Sequence, residues 1–220
     1  MGSRFKPTQG LVRFAFIAVF VALAAGHASA QTSDPVGPFV IDLRGVMAGL
    51  PTQAGWLPVL PVDTVVPSRG FGLEGGGHVF PLRLGPARIG FGAALTVARG
   101  TATATAEGTP DVVTRSTTFA PQLSFNFGHR LGWSYLSAGY GAAKIVSESS
   151  NVGSVPGLTA DSGWGGAMNI GGGARWFISE RVGVGFEARW HLLSSRQASA
   201  STAATGRATL FHLAVGLSIH

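Results

Sequence analysis

From Phe39 onward, apolar positions alternate with small or polar ones at a period of two, the spacing at which successive side chains of a β-strand point to opposite faces. Between Phe39 and Met47, Phe39, Ile41, Leu43 and Met47 share one face while Asp42 and Arg44 take the other. Phe71, Leu73 and Val79 likewise oppose Glu74 and His78, and Ile89, Phe91, Leu95 and Val97 oppose Gly90, Gly92 and Thr96. Next, Phe119, Leu123, Phe125 and Phe127 oppose Gln122, Ser124 and Asn126, and Leu136, Ala138, Tyr140 and Ala142 oppose Ser137, Gly139 and Gly141. Trp164, Met168, Ile170, Ala174 and Trp176 face away from Asn169 and Arg175. Val182, Val184, Phe186, Ala188, Trp190 and Leu192 face away from Glu187, Arg189 and His191. Finally, Phe211, Leu213, Val215, Leu217 and Ile219 oppose His212, Gly216 and Ser218. The pattern predicts eight half-polar strands.

The links between these strands alternate in length. Those around Pro81 to Arg88, Gly128 to Gly132 and Phe177 to Arg181 are short, whereas those around Ala48 to Gly70, Gly100 to Thr118, Val146 to Gly163 and Leu193 to Arg207 are long and rich in Ser, Thr, Pro, Gly and Ala. Short turns on one side and long loops on the other are the layout of a barrel that crosses a membrane with its strands. The run Thr101-Ala-Thr-Ala-Thr-Ala106 in the second long loop reads either as a continuation of two strands above the membrane or as a low-complexity tip. Aromatic residues fall at both strand ends: Phe39, Phe80, Phe127, Trp133 and Trp176 beside the short turns, and Phe71, Phe119, Trp164, Trp190 and Phe211 beside the long loops. This distribution predicts two interfacial girdles.

The first thirty residues read as an export signal. Arg4, Lys6 and Arg13 form a basic region, Leu11 to Ala25 an apolar one, and Ala28-Ser-Ala30 a small-residue cleavage site before Gln31. The uninterrupted apolar core, Phe14 to Ala25, is about a dozen residues long, short of the roughly 20 that a spanning helix needs. The chain therefore divides into a signal peptide, 1–30, and one barrel domain, 31–220. Without Arg4, Lys6 and Arg13 the formal charge falls from +6 to +3, and no basic stripe for nucleic acid is left. With no cysteine, thiolate chemistry and cysteine-ligated zinc are excluded.

The sign of the alternation separates a membrane barrel from a soluble ligand-binding one. A soluble barrel turns charge outward, but here the few charged strand residues share their face with Gly, Ser and Asn. Arg or Lys facing the bilayer midplane would cost roughly 2 to 4 kcal/mol. Arg44, Arg175 and Arg189 are accordingly expected in the lumen together with Asp42, Glu74 and Glu187, as a buried ionic cluster. The fold expected is all-β: an eight-stranded antiparallel up-and-down transmembrane β-barrel.

The hairpin Gly171-Gly-Gly-Ala-Arg-Trp-Phe-Ile-Ser-Glu-Arg-Val-Gly-Val-Gly-Phe-Glu-Ala-Arg-Trp190 and the segment Tyr135-Leu-Ser-Ala-Gly-Tyr-Gly141 resemble the small porin-family, OmpA/OmpX-like outer-membrane barrels. The resemblance implies residence in the bacterial outer membrane, contact with outer-membrane lipid and lipopolysaccharide, insertion by the barrel-assembly machinery, and a monomer. It also implies that Arg175, Glu187 and Arg189 belong to a polar network plugging the barrel, with Glu74 a partner from the second strand. Such barrels commonly end in an aromatic residue, whereas this chain ends Leu217-Ser-Ile-His220. No peptidoglycan-binding domain is expected after the last strand.

Candidate chemistry is sparse. Gly75-Gly-Gly77 and Gly171-Gly-Gly173 lack the Lys-Ser/Thr ending of a phosphate loop and read as barrel glycines. The six histidines show no metal-ligand spacing, so neither metal nor cofactor is expected. His191 and Ser194 are similar to the His and Ser that lipid A deacylases, also eight-stranded barrels, hold near a strand end. Three apart on a strand, however, they fall on opposite faces. The reading favoured is a non-enzymatic barrel with a structural or surface-interaction role exercised through four long loops. A small-solute pore is the first alternative and a lipid A deacylase-like hydrolase the second. The loops carry one apolar cluster, Trp56 with Leu57, Val59 and Leu60, which either folds over the mouth or meets a partner.

Overall fold

A computed structural model describes residues 38–195, apart from 54, 62, 86 and 130, together with residues 204–220. The segment expected to be an export signal, 1–30, lies outside the described residues. Nine strands follow in chain order: β1 (Phe39–Gly49), β2 (Arg69–Leu84), β3 (Ala87–Ala102), β4 (Val112–His129), β5 (Gly132–Ser149), β6 (Thr159–Asp161), β7 (Gly165–Phe177), β8 (Val182–Leu193) and β9 (Ala208–Ile219). Eight of them close a cylinder of antiparallel neighbours. β4 pairs with both β3 and β5, and β1 pairs with both β2 and β9, so the sheet meets itself and leaves no barrel strand unpaired. Closure removes the exposed rows of N–H and C=O groups that an open sheet would present, which is what permits a sheet to sit in hydrocarbon.

The ninth strand departs from the eight that the sequence pattern predicts. β6 is a short piece inside the third long loop, paired to the upper end of β5 from Val146↔Asp161 to Glu148↔Thr159. Three residues offer too little alternation to be seen in a sequence. In the second loop the strands run past the expected boundary, with Thr101 and Ala102 opposite Val113 and Val112, so part of the Thr-Ala run is strand and residues 103–111 form the tip.

Around the wall the apolar face of the alternation is exposed and the other is buried. Ile41, Leu43, Leu73, Phe91, Leu95, Phe125, Leu136, Ile170, Val215 and Leu217 stand outside. An apolar surface that encircles a closed sheet is a wall made for lipid, not water.

Two prolines interrupt the ladder where they cannot donate a hydrogen bond. At Phe80-Pro81 the β2–β3 register slips between Val79 and Leu82. At Pro121 the β4–β5 pairing is broken between Phe119↔Ala142 and Leu123↔Ala138 without a change of register. The interior is narrow enough for glycine to matter beside the first of these. A Cβ at Gly90, which faces the lumen, would lie 2.6 Å from the Phe80 ring and 2.7 Å from Ser124 Oγ. Gly90→Ala is therefore expected to destabilise the barrel by about 1–3 kcal/mol through overpacking, read as a lower urea midpoint for unfolding in lipid vesicles. An unchanged midpoint would mean that the lower lumen can expand.

Candidate functional site: the barrel lumen

Side chains at alternate positions of all eight barrel strands converge on the axis and fill it in layers. Nearest the short turns is an apolar layer of Val40, Phe80, Trp133, Tyr135 and Phe177. Trp133 stacks on Phe177 at 4.8 Å and meets Phe80 edge-on at 6.3 Å, and the His78 ring lies parallel to Phe80. The imidazole of His220 stands perpendicular to Phe177 at 4.3 Å and so adds to this layer.

Two residues expected in the girdles are thereby corrected. Phe80 is 4% exposed and Trp133 is 2% exposed, both inside. Their parity explains this: Phe80 shares the face of Glu74 and His78, and Trp133 that of Ser137, so nearness to a strand end was the weaker indicator. Of the other aromatics, Phe39, Phe71, Phe119, Phe127, Trp164, Trp176 and Trp190 face outward, and Phe211 is half-buried against Trp190 at 5.0 Å between ring centres.

Above the aromatic layer the structure brings Asp42, Arg44, Glu74, Arg175, Glu187 and Arg189 together, all buried. Arg175 holds Asp42 with two hydrogen bonds, Nε to Oδ1 at 3.0 Å and Nη2 to Oδ2 at 2.5 Å. Arg44 reaches three carboxylates, with Asp42 at 2.9 Å, Glu74 at 3.0 Å and Glu187 at 2.9 Å. Arg189 donates from Nε to Glu187 Oε1 at 2.5 Å, from Nη1 to Asn169 Oδ1 at 2.7 Å, and from Nη2 to both Ser137 Oγ and Gln122 Oε1. Hydroxyls complete the carboxylate shells: Tyr135 donates to Glu187, Thr96 to Glu74 and Ser218 to Asp42. The Arg175 guanidinium also lies 4.2 Å from the centre of the Tyr135 ring. Three guanidiniums face three carboxylates, so the six groups are neutral as a set.

Register explains how such large groups fit. Asp42 and Arg44 are two apart on β1, and Glu187 and Arg189 two apart on β8, so each pair shares the inward face. Directly opposed strand residues hold their Cβ atoms roughly 4.5–5.5 Å apart, and most of these charged residues have a glycine in that place. Gly76 lies opposite Asp42, Gly216 opposite Arg44, Gly185 opposite Arg175, Gly173 opposite Glu187 and Gly171 opposite Arg189. Where Arg44 meets no glycine it meets Glu74.

Toward the long loops the lumen is lined on one side by the small apolar Val46, Ala48, Ala98 and Ala214 and on the other by the buried hydroxyls of Thr114, Ser116, Thr118 and Ser147. There the rings of His191 and His212 stand 4.4 Å apart. Trp56 from the first long loop, 4% exposed, then packs with Ala143, Ile145, Ala167, Leu193, Ala208 and Leu210 across the mouth. Val59 in the same loop remains exposed.

His191 and Ser194 are not brought together. His191 faces the lumen, while Ser194 lies exposed beyond the end of β8, its backbone N–H donating to Gly166 O at 3.1 Å. No hydroxyl–imidazole pair arises from them, and the hydrolase alternative loses its nucleophile and base. Among the described residues no group of three histidine or acidic side chains is arranged to hold a metal ion. The network also contains uncharged members, namely Tyr135, Gln122, Asn169, Ser137, Thr96 and Ser218. Inward parity marks every one of them; that they would act as ligands to the ionic core is a three-dimensional fact.

No family model matches the sequence, and no curated protein matches it. Solved structures do. Ail, the attachment invasion locus protein of Yersinia pestis, in complex with the heparin analogue sucrose octasulfate, superposes with a TM-score of 0.50 at 8% identity over 82% of this chain and 96% of that one. Neisserial surface protein A gives 0.46 at 10% identity over 83% and 97%, and the outer membrane protein OprG from Pseudomonas aeruginosa 0.45 at 8% over 85% and 97%. At these identities the likeness is one of fold: this chain has the fold of the small eight-stranded outer-membrane β-barrels.

Truncating one partner of a buried ionic network leaves charges uncompensated, at a cost of about 3–5 kcal/mol. Arg44→Ala leaves Glu74 without a cation and the network one positive charge short, and is expected to destabilise by that amount. The wall pair Arg115–Glu148, with side chains 46% and 41% exposed, should contribute less than about 1 kcal/mol, so Glu148→Ala serves as the comparison. Urea titrations of the refolded variants in vesicles, followed by tryptophan fluorescence, give both values; equal losses would contradict the central role of the lumen.

Proposed function

We propose that this protein is a non-enzymatic integral barrel of the bacterial outer membrane, with its lumen plugged, working through the surface presented by its four long loops. The observation that carries the reading is the neutral network of three arginines and three carboxylates across the axis. Below it lies the aromatic layer around Trp133 and above it the layer around Trp56. An eight-strand interior has room for side chains or one small ligand and none to spare for a water channel once those side chains are large and mutually bonded. The apolar exterior supports the membrane setting, and the separation of His191 from Ser194 supports the non-enzymatic reading. Surface interaction is in keeping with barrels of this size, whose loops carry their specificity. Its partners on this reading are outer-membrane lipid and lipopolysaccharide, with the assembly machinery during insertion, and it acts as a monomer.

Reconstituted in a planar bilayer, the protein is expected to give no stable single-channel steps. Reproducible steps would overturn the plugged lumen in favour of a small-solute pore. The membrane assignment is checked separately by fractionation, where an outer-membrane band that migrates differently before and after boiling is expected; recovery of a soluble band alone would remove it.

A further inference from the structure

The outer wall is not uniform around its circumference. On β2 to β5 the first charged residues above the apolar belt are all basic and outward by parity: Arg69, Arg99, Arg115 and Lys144. β1, β7 and β8 carry no outward charge at their long-loop ends. Arg99 and Arg115 are directly opposed across the β3–β4 ladder, and Phe71, beside Arg69 on β2, is the register partner of Arg99 on the other side. Like charges held opposite one another destabilise a sheet. Acidic groups offset only part of the cluster, Glu148 on Arg115 at 3.1 Å and Asp161 on Lys144 at 2.8 Å. Among the described residues neither Arg69 nor Arg99 has an acidic partner. Exposed aromatics, Phe71, Phe119, Tyr140 and Trp164, lie just below on the same strands or beside them.

From this we infer that the β2–β5 wall binds the phosphate groups of a phosphorylated glycolipid of the outer leaflet, with Arg69 and Arg99 as its principal contacts. Several features point to a lipid rather than a soluble polyanion. The arginines project sideways from the wall at the upper edge of the lipid-facing belt, where a headgroup phosphate lies, and the aromatic residues below them offer a surface to the sugar and the first acyl carbons. Guanidinium forks match phosphate oxygens in pairs, and an anion between Arg99 and Arg115 would relieve their opposition. The inference rests on the outer-membrane setting proposed above.

The full chain, refolded in zwitterionic nanodiscs, is titrated with bis-phosphorylated lipid A, with the same lipid after removal of its phosphates, and with soluble sucrose octasulfate, bound ligand being counted by native mass spectrometry. The bis-phosphorylated lipid is expected to bind at least tenfold more tightly than either of the others. Arg69→Gln/Arg99→Gln should abolish that preference, whereas Arg207→Gln, outside the cluster, should preserve it. Heat-modifiable migration verifies that each variant is folded. Equal binding of the two lipids, equal binding of sucrose octasulfate, or an unchanged preference in the double variant would overturn the site. Failure of the site leaves the silent bilayer recording and the outer-membrane band untouched, so the two readings fall separately.

Discussion

A closed antiparallel sheet of eight strands directs every second side chain at a narrow axis, and the charged groups placed there meet their counter-ions among one another. That constraint governs the rest of this molecule. An unpaired ion in such a place faces a desolvation penalty of several kcal/mol, and attraction to a counter-ion offsets it only when geometry and additional hydrogen bonds are good. Arg44 shows what the constraint demands: one guanidinium is shared among Asp42, Glu74 and Glu187, from three different strands. Arg175 and Arg189 then supply the remaining charge, the Ser218 hydroxyl donates to Asp42, and the Asn169 amide oxygen accepts from Arg189. The network reinforces the β1–β2 ladder and ties β1 to β7 and β8 across the lumen, contacts that no neighbouring ladder provides. Ladder hydrogen bonds hold adjacent strands; the ionic core couples distant ones.

Glycine makes this filling possible. Each strand residue has a directly opposed neighbour on either side, and two long side chains in opposed inward sites crowd one another; Arg44 and Glu74 occupy such sites as a bonded pair. Elsewhere the opposed site on one side is a glycine. Gly171 and Gly173 stand against Arg189 and Glu187, and between them the outward Gly172 is not part of that arrangement. The run of three glycines is thus a pair of spacers on one face, and its resemblance to a phosphate-binding loop ends at composition. The same logic places Gly216 beside Arg44 and Gly185 beside Arg175.

Most of this architecture is legible in the sequence because the side-chain period of a strand is two and one face must be apolar. From Asp42, Glu74, Arg175 and Glu187 a reader can infer which residues meet, though not which pairs form, since register between distant strands leaves no periodic trace. Phe80 and Trp133 show where inference from position fails against inference from parity. Being aromatic and near a strand end suggested an interface, but their parity with His78 and Ser137 directed them to the axis, where the lower end of the barrel needed apolar volume. Trp56 was legible only as an apolar patch in a polar loop; its place in the mouth depends on the hollow left by Ala143, Ala167 and Ala208, small residues from three strands. β6 was not legible, because three residues carry no pattern above background.

A filled interior has a consequence for where this protein can meet anything else. On the proposed plugged lumen, recognition falls on the loops or the outer wall, and these are distributed unevenly. The first long loop commits Trp56 to the mouth, which draws part of that segment inward. On the other side β4 and β5 continue together to Val112↔Ser149, well beyond the end of β1 at Gly49, and β6 adds a third strand there. A rigid sheet loses less conformational freedom on contact than a loose loop does, so the rising edge formed by β4, β5 and β6 is the better platform for a partner. The unbalanced arginines lie at the foot of that platform. Lipid phosphates held there would flank the raised sheet without covering its upper part.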